Sequence, residues 1–530
     1  MTALVDATAG WTLLLRTFLR RDRWQLLWWS TGLAVLYVSQ AWSVDSLYAS
    51  QADFDRAAVM MEGNTAFIAM AGPARALNTT GGQVMWQAGA FGAVAIGLMS
   101  MLLVGRHTRA EEERGREELV RATAVGRCAT LAAAGATVLL ATALVGIVTG
   151  AVLVAYGLPV ADSLAVGAGL GLCGAFFGST ALVAAQLTST TRGTYGLAGA
   201  VIGLAYGLRA VGDVGSPTLS WLSPIGWYQA MHPYSGLRWW PALLLVGGTL
   251  VSTVVAVVLF LRRDLGAGVL AGRPGPAQAA PGLSSGFGLA WRLQRGSVLA
   301  WAIGMLLMGL SYGSIGDDAG DLMGDSALTE DIFGARSGDL VDGFFAVSAV
   351  TLALLATGFA LSSMSRPRGQ EDDGYAELTL ATGVSRLRWL GGQVYVCVLG
   401  TVVVVGTAGL GLAGGYALTT GDTDAFTRLT LPMLAQVAPV LVTVSVALLL
   451  YGVAPRAVSA SWMVLLFAVV VLMFGEMFRM PDWLRALSPY DHLALVPAEP
   501  FRVLPFVTLL AIALTLSLVG AFAFSRRDIG

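Results

Sequence analysis

Long apolar runs restrict the fold of this chain more than any other feature of its sequence. A helix that crosses a membrane needs roughly 20 mainly apolar residues, and the chain contains about twelve such runs. Only 12% of its residues are charged, whereas a soluble globular protein has about 25%. We therefore predict an all-α polytopic membrane protein. The predicted spans are Leu26–Val44, Met85–Gly105, Thr130–Tyr156, Leu164–Leu187, Tyr195–Val211, Pro241–Leu261, Val298–Ile315, Phe344–Met364, Leu390–Leu418, Leu431–Val453, Val458–Met477 and Val503–Phe524.

The arginines indicate which ends of these spans face the cytoplasm. The chain has no lysine, so all 32 of its basic residues are arginine. If the N-terminus is cytoplasmic and the spans alternate, 23 of the 32 arginines lie on the cytoplasmic side and 20 of the 33 carboxylates on the other. This asymmetry follows the positive-inside rule. We expect a multi-pass protein of a bacterial plasma membrane with both termini in the cytoplasm.

Matching motifs occur in the two halves of the chain. The stretch from Arg109 to Arg127 aligns without gaps with the stretch from Arg368 to Arg386, and nine of the 19 positions are identical. The motifs LSPIGW and RRDLG near the end of the first half recur as LSPYDH and RRDIG near the end of the second. The order of spans and motifs is the same in both halves. The chain is therefore predicted to contain two tandem six-span repeats in parallel orientation.

The domain boundaries follow from this duplication. The first repeat is predicted at residues 1–266 and the second at 289–530. The linker between them, 267–288, is rich in Pro, Gly, Ala and Ser and is flexible by composition. Parallel repeats of this kind pack about an axis along the membrane normal, with a central pathway at their interface.

The two charged stretches, predicted as helices at 106–127 and 366–388, have a composition that membrane topology alone does not require. Glu111 to Arg127 holds five carboxylates and four arginines, whereas the positive-inside rule asks only for basic residues. A solvated loop is the simpler interpretation of one such segment. Two matching polar segments in an otherwise diverged duplication instead predict two equivalent docking sites for a partner.

The pattern Arg-x-x-Glu-Glu-x-Gly-x-x-Glu-Leu-x-x-Ala-Thr-x-Val-x-Arg, directly after the second span, resembles the coupling helix of type-2 ABC exporter permeases. Over nearly its whole length the chain is similar to polyketide-antibiotic (tetronasin-type) and multidrug ABC transporter permeases of actinobacteria. This resemblance implies that two copies of a separate ABC ATPase subunit bind ATP and Mg and drive alternating access. The cargo it implies is a hydrophobic or amphiphilic small molecule, such as an antibiotic.

The resemblance also implies which residues contact the ATPase. The first copy of the motif provides Glu112, Glu113, Gly115, Glu118, Leu119 and Arg127, and the second provides Glu371, Asp372, Gly374, Glu377, Leu378 and Arg386. The two copies are not equal, because Arg114, Arg116 and Arg121 of the first are replaced by Asp373, Tyr375 and Leu380. One docking site is thus expected to be more basic than the other.

The transport pathway is weakly marked. Adaptable apolar side chains within the spans are candidates for its lining, although ordinary packing explains each of them singly. These candidates are Met99, Met101, Tyr206, Met305 and Met308.

Two pairs of opposite charge lie near the ends of the fifth and eleventh spans. Arg209 with Asp213, and Glu476 with Arg479, are candidates for an outer gate, with local ion pairs as the alternative.

Other functions receive less support from the sequence. Without lysine the chain cannot carry a P-loop, so we expect no ATPase activity of its own. Its three cysteines and three histidines are scattered, and no metal site, cofactor or nucleic-acid partner is expected. The small number of ionisable groups inside spans disfavours an ion-coupled secondary transporter. That class, an ABC exporter of a lipid or lipid-linked glycan, and a membrane enzyme are the alternatives.

Overall fold

The computed structural model describes residues 7–47, 50–62, 65–215, 217–270, 277–316, 340–475 and 480–528. All regular secondary structure in these ranges is helical. The predicted all-α fold is thus confirmed. The chain divides into two compact units, Met1–Gly275 and Pro276–Gly530, and each unit has its own apolar core.

The first unit consists of long helices connected by shorter ones. The helices are α1 (Trp11–Leu47), α2 (Gln51–Glu62), α3 (Thr65–Ala71), α4 (Thr80–His107), α5 (Arg109–Glu113), α6 (Arg116–Arg121), α7 (Ala129–Tyr156), α8 (Val160–Leu187), α9 (Thr191–Val214), α10 (Pro217–Ser220), α11 (Pro224–Gln229) and α12 (Trp240–Arg262). Helix α8 is central and packs against α4, α7, α9 and α12.

Small residues allow α7 and α8 to approach closely. A Cβ atom added to Gly146 of α7 would lie 2.4 Å from the carbonyl oxygen of Gly167 in α8. Packing of this kind is common between helices in membranes, where small residues let two backbones touch. Larger side chains, including Tyr37, Ile96 and Phe177, fill the core around this contact.

The second unit repeats the helix pairings of the first. Its helices are α13 (Gly286–Ile315), α14 (Leu340–Met364), α15 (Arg366–Asp372), α16 (Tyr375–Leu380), α17 (Arg386–Thr420), α18 (Ala425–Ala435), α19 (Val437–Val453), α20 (Ser461–Phe474), α21 (Asp482–Arg485) and α22 (Val503–Arg526). Helix α13 packs on α17 and α19 on α22, just as α1 packs on α7 and α8 on α12. Short 3₁₀ turns occur at Pro281–Ser284, Pro455–Ala460 and Pro489–Asp491.

Hydroxyl side chains begin several of the long helices. Thr79, Thr190, Ser285 and Ser385 each accept a hydrogen bond from a backbone N–H three residues later. Such N-caps satisfy donors that have no partner within the helix. The tenth predicted span, in contrast, is divided at Gln436 between α18 and α19, because Pro432 and Pro439 interrupt the backbone hydrogen bonding there.

Eleven helical segments within the described ranges are long and apolar enough to cross a membrane. Each overlaps a predicted span. The remaining predicted span, Leu26–Val44, lies within α1, which is not among the eleven. Its Trp, Ser and Gln residues lower its mean hydropathy.

Candidate docking site

Each charged stretch (109–127 and 368–386) folds as two short helices rather than the single helix that the sequence suggested. In the first unit, Gly115 joins α5 to α6 with a φ of 69°. In the second unit, Gly374 joins α15 to α16 with a φ of 75°. Only glycine adopts this left-handed conformation without a steric cost. The glycine that the two copies share therefore breaks the helix at the same point in both.

A buried ion-pair cluster lies beneath the first charged stretch. Glu112 accepts hydrogen bonds from both terminal nitrogens of Arg263, at 2.5 and 3.0 Å, and from Arg109 at 2.8 Å. The side chains of Glu112, Arg263 and Arg109 are only 7, 3 and 0% exposed. Arg263 also donates to Gln186 at 2.7 Å, and Arg109 to the carbonyl oxygen of Ala267 at 2.9 Å. These contacts connect the stretch to the end of α12.

The second unit contains the corresponding cluster. Glu371 accepts from Arg527 at 2.5 Å and from the hydroxyl of Tyr451 at 2.5 Å, and Arg368 lies 3.6 Å from its other oxygen. The side chain of Arg368 is 28% exposed, so this cluster is more accessible to solvent than the first. We call the Glu112 and Glu371 clusters the clamps. In each clamp, an arginine at the end of the last long helix of the unit holds the glutamate.

Exposed residues of each charged stretch follow the clamp glutamate in the sequence. We call Gly115–Leu119 and Gly374–Leu378 the apices. Glu118 and Glu377 are exposed, and the leucines that follow them, Leu119 and Leu378, are 73 and 69% exposed. Each apex therefore presents a carboxylate and a leucine to solvent on a turn that begins at its left-handed glycine.

The other predicted docking residues make contacts within their own units. Glu113 accepts from the backbone N–H of Thr191 at 2.9 Å and thereby caps α9. Arg127 donates to the carbonyl oxygen of Leu261 at 3.2 Å, and its counterpart Arg386 to that of Arg527 at 2.5 Å. Asp372 pairs with Arg368 at 2.6 Å but remains 55% exposed. The predicted set thus separates into apex residues and residues that hold the apex in place.

The buried polar contacts of the first long helix differ between the two units. In the first unit, the buried Asp22 contacts His107 and lies 3.2 Å from Arg106. Aligned without gaps, Arg20, Arg23, Leu27, Trp29 and Gly32 of α1 match Arg292, Arg295, Leu299, Trp301 and Gly304 of α13, so that Gln294 occupies the position of Asp22. Gln294 is also buried, but its partners are neutral: Ser363 at 2.5 Å and Gln393 at 3.0 Å.

The candidate pathway residues lie elsewhere in the units. Met99 and Met101 are packed in the core of the first unit and Met305 in that of the second. The hydroxyl of Tyr206 donates to the carbonyl oxygen of Met70 at 2.7 Å, whereas Met308 is 38% exposed.

The structure describes one of the two candidate gate pairs. Arg209 is fully buried and lies 3.5 Å from Asp213, and it donates to the carbonyl oxygens of Ala69 and Met70 at 2.9 Å each. It therefore holds the end of α3 against α9. Glu476 and Arg479 lie outside the described residues.

The sequence alone does not identify Arg263 and Arg527 as the partners of Glu112 and Glu371. Arg263 and Arg527 belong to the repeated motif RRDLG/RRDIG, which served only as evidence of duplication. This motif is present in both halves and carries one more positive than negative charge. Those two properties are the signal in the sequence that could have indicated a pairing of its arginine with the repeated glutamate.

Comparison with known proteins identifies the family. A family model described as "Multidrug efflux system permease Rv1217c, C-terminal domain" matches residues 15–261 and 283–525. The multidrug efflux system permease protein Rv1217c of Mycobacterium tuberculosis (strain ATCC 25618 / H37Rv) is 38% identical over 528 residues, which cover 97% of this chain and 94% of that protein. A closer relation to tetronasin-type permeases stays a prediction. The chain belongs to the Rv1217c family of multidrug efflux system permeases.

Proposed function

We propose that this protein is the permease subunit of an ATP-driven exporter of hydrophobic or amphiphilic small molecules, and that a separate ATPase docks on its two apices. The observation that carries the proposal is the same exposed Glu–Leu apex in both units, each held on a left-handed glycine and backed by a clamp. Membership of the multidrug efflux permease family supports the transport role. In this arrangement both termini and both apices face the cytoplasm.

The clamps suggest how movement of the ATPase reaches the membrane helices. In the first unit, α5 follows α4 after a single residue, and Glu112 is bonded to Arg263 at the end of α12. Displacement of the apex would therefore act on α4 and α12 together. The second unit has the same connection from α14 through Glu371 to Arg527. ATP binding shifts an inward–outward equilibrium only through such differential contacts.

The two apices expose different charged groups to the two ATPase subunits. The first apex includes Arg116, which is exposed, whereas the second has Tyr375, 62% exposed, at the matching position. Electrostatic complementarity affects partner selection and association rate more than it affects affinity. We therefore infer that the two docking events differ in salt dependence.

Charge reversal at the apices tests the docking role. The double variant E118R/E377R should lose association with the proposed ATPase partner by at least about tenfold, because it places two repulsive charges at the interface. ATP-dependent drug transport in proteoliposomes should fall with it. Co-purification and transport are measured side by side.

The matched control is D264R/D528R. Each aspartate is exposed, follows the clamp arginine of its own unit and belongs to the repeated terminal motif, but both lie outside the apices. The control should associate and transport as the wild type does. If E118R/E377R behaves like this control, the apices do not dock the ATPase. Drug transport driven by an ion gradient without any ATPase would instead support a secondary transporter.

A further inference from the structure

The first charged stretch is also bonded to the start of α9, the fifth long helix of its unit. Glu113 ends α5, and Thr191 begins α9. One carboxylate oxygen of Glu113 accepts from the backbone N–H of Thr191 at 2.9 Å, and the other accepts from its hydroxyl at 2.5 Å. The first N–H of a helix has no partner within the helix, and the helix dipole favours a carboxylate there. Glu113 thus joins α5 to α9 through both of its oxygens.

The second unit cannot form this contact. When Arg192 is aligned with Arg456, Thr191 corresponds to Pro455. The two positions are structurally equivalent, because each directly follows the N-cap of its helical segment. Proline has no backbone N–H, and its side chain has no hydroxyl. Both donors that Thr191 provides are therefore missing at this position of the second unit.

The second charged stretch makes different contacts. Asp372, which aligns with Glu113, pairs with Arg368 of its own helix at 2.6 Å and is 55% exposed. Tyr451, near the end of α19, donates its hydroxyl to Glu371 at 2.5 Å. The second stretch is thus bonded to the helix before the turn, whereas the Glu113 contact bonds the first stretch to the helix after it.

Helix α9 offers little side-chain resistance to displacement. It contains six glycines, whereas α20 contains none. A Cβ atom added to Gly196, Gly203 or Gly207 would meet no atom within 4 Å in the described part of the chain. Helices are held in register by ridges of side chains that pack into the grooves of their neighbours. The glycine-rich face of α9 lacks such ridges, so a force applied at Thr191 can shift this helix.

The other end of α9 is bonded to α3. The buried Arg209 donates to the carbonyl oxygens of Ala69 and Met70 at 2.9 Å each. Since α9 has 24 residues and is about 36 Å long, it connects the charged stretch to α3 at its opposite end. In the alignment that matches Arg192 with Arg456, Arg209 corresponds to Met473, which has no hydrogen-bond donor. The first unit therefore has a polar bond at each end of this helix that the second unit does not reproduce.

These contacts give the two charged stretches different effects, provided that an ATPase moves them as proposed above. We propose that Glu113 is a positioning residue that makes α9, and through it α3, follow the first charged stretch. The second charged stretch moves without a corresponding bond to the start of its fifth span. The two units then respond differently even when both ATPase subunits move alike.

Replacing Thr191 by proline gives the first unit the residue of the second. T191P removes both donors, and proline suits the first position of a helix. The preceding Thr190 already has the extended backbone that a residue before proline adopts, with φ −130° and ψ 146°. E113A removes the acceptor instead, and it decides the outcome if T191P does not fold. T191S keeps both donors and should behave as the wild type does, and P455A is the matched control in the second unit.

Amide hydrogen exchange of the purified full-length chain measures the contact itself. In E113A the first turn of α9, residues 191–194, should exchange about threefold faster than in the wild type, because a helix N-terminus loses its carboxylate. P455A should leave this exchange unchanged. Equal exchange in E113A and the wild type overturns the proposal, since Glu113 would then not hold α9.

Exchange in the complex with the proposed ATPase partner tests whether movement passes through the contact. In the wild type, ATP should alter exchange in residues 109–127 and 191–194 of the first unit, but in 368–386 without 455–460 of the second. In T191P and E113A, the response of 109–127 should remain while that of 191–194 is lost, which a general loss of stability would not produce. A response of 191–194 that persists in both variants overturns the proposal.

Failure of the proposed function gives a different result. If ATP alters exchange in neither charged stretch of the wild-type complex, no ATPase moves them, and the positioning role fails with the docking role. The faster exchange of α9 in E113A would still be observed in the chain alone, because that measurement requires no ATPase.

Discussion

Replacing Glu112 by glutamine should destabilise the first unit more than any other neutral substitution in the charged stretch. Glutamine has nearly the same shape as glutamate and can still accept one hydrogen bond. It removes the negative charge that Arg263 and Arg109 share, at 2.5 and 2.8 Å. Both arginines stay buried, because Arg263 also donates to Gln186 and Arg109 to the carbonyl oxygen of Ala185.

The magnitude follows from burial. Removing one partner of a buried ion pair costs about 3–5 kcal/mol, since the other charge remains without compensation. The retained hydrogen bond places E112Q at the lower end, about 3 kcal/mol. In the second unit, Arg527 and Arg368 are 16 and 28% exposed, so water screens them. The loss for E371Q should be about 1–2 kcal/mol.

Equilibrium unfolding in detergent, followed by tryptophan fluorescence, measures these differences. Amide hydrogen exchange then shows whether the loss is confined to the unit that carries the substitution. E118Q is the matched control, because Glu118 is exposed and surface substitutions change stability by less than about 0.5 kcal/mol. A double-mutant cycle of E112Q with R263Q should give a coupling energy above about 1.5 kcal/mol. If E112Q is as stable as E118Q, or the coupling is near zero, the clamp does not exist as described.

Three further predictions concern single positions. G115A and G374A should each lose about 1 kcal/mol of unfolding free energy, because alanine is strained at a left-handed φ; unchanged denaturant midpoints would contradict this. The pKa of His232 is lowered to about 4 from an ordinary value of 6.5, because the folded protein favours the neutral imidazole. The contribution of His232 to the free energy of unfolding is therefore complete above pH 6.5. Stability should fall as the pH drops from 6.5 towards 4, whereas H232Q should lack this component; parallel curves for the two proteins would contradict it. R209Q should accelerate amide exchange in α3 about tenfold or more, since the carbonyl oxygens of Ala69 and Met70 each lose the hydrogen bond from Arg209; unchanged exchange would show that Arg209 does not hold α3.

The sequence predicted the helices well because a membrane imposes one strong requirement. Every predicted span must be apolar over its length and satisfy its own backbone hydrogen bonds, and each one overlaps a helix of the structure. Breaks within helices were less predictable. The division of the tenth span at Gln436 depends on how Pro432 and Pro439 are accommodated by packing, which a hydrophobic run does not reveal.

The candidate site was predicted in part. The duplication identified the charged stretches and their shared residues, but it could not separate Glu118, which is exposed, from Glu112, which is buried. That distinction depends on Arg263, which lies 151 residues away in the chain and contacts Glu112 only in the folded unit. Residues that are identical in the two charged stretches therefore include both exposed residues of the apices and buried residues that hold the apices in place.

The difference between Asp22 and Gln294 has a consequence for how such a transporter can evolve. A homodimer encoded by a half-length gene must carry the same residue at both equivalent positions, so a substitution that benefits one subunit is imposed on the other. Fusion of the two halves removes this constraint, because each position mutates alone while synthesis keeps the halves in equal number. The buried Asp22 beside Arg106 and His107 in one unit, and the neutral cluster around Gln294 in the other, are the specialisation that a single polypeptide permits.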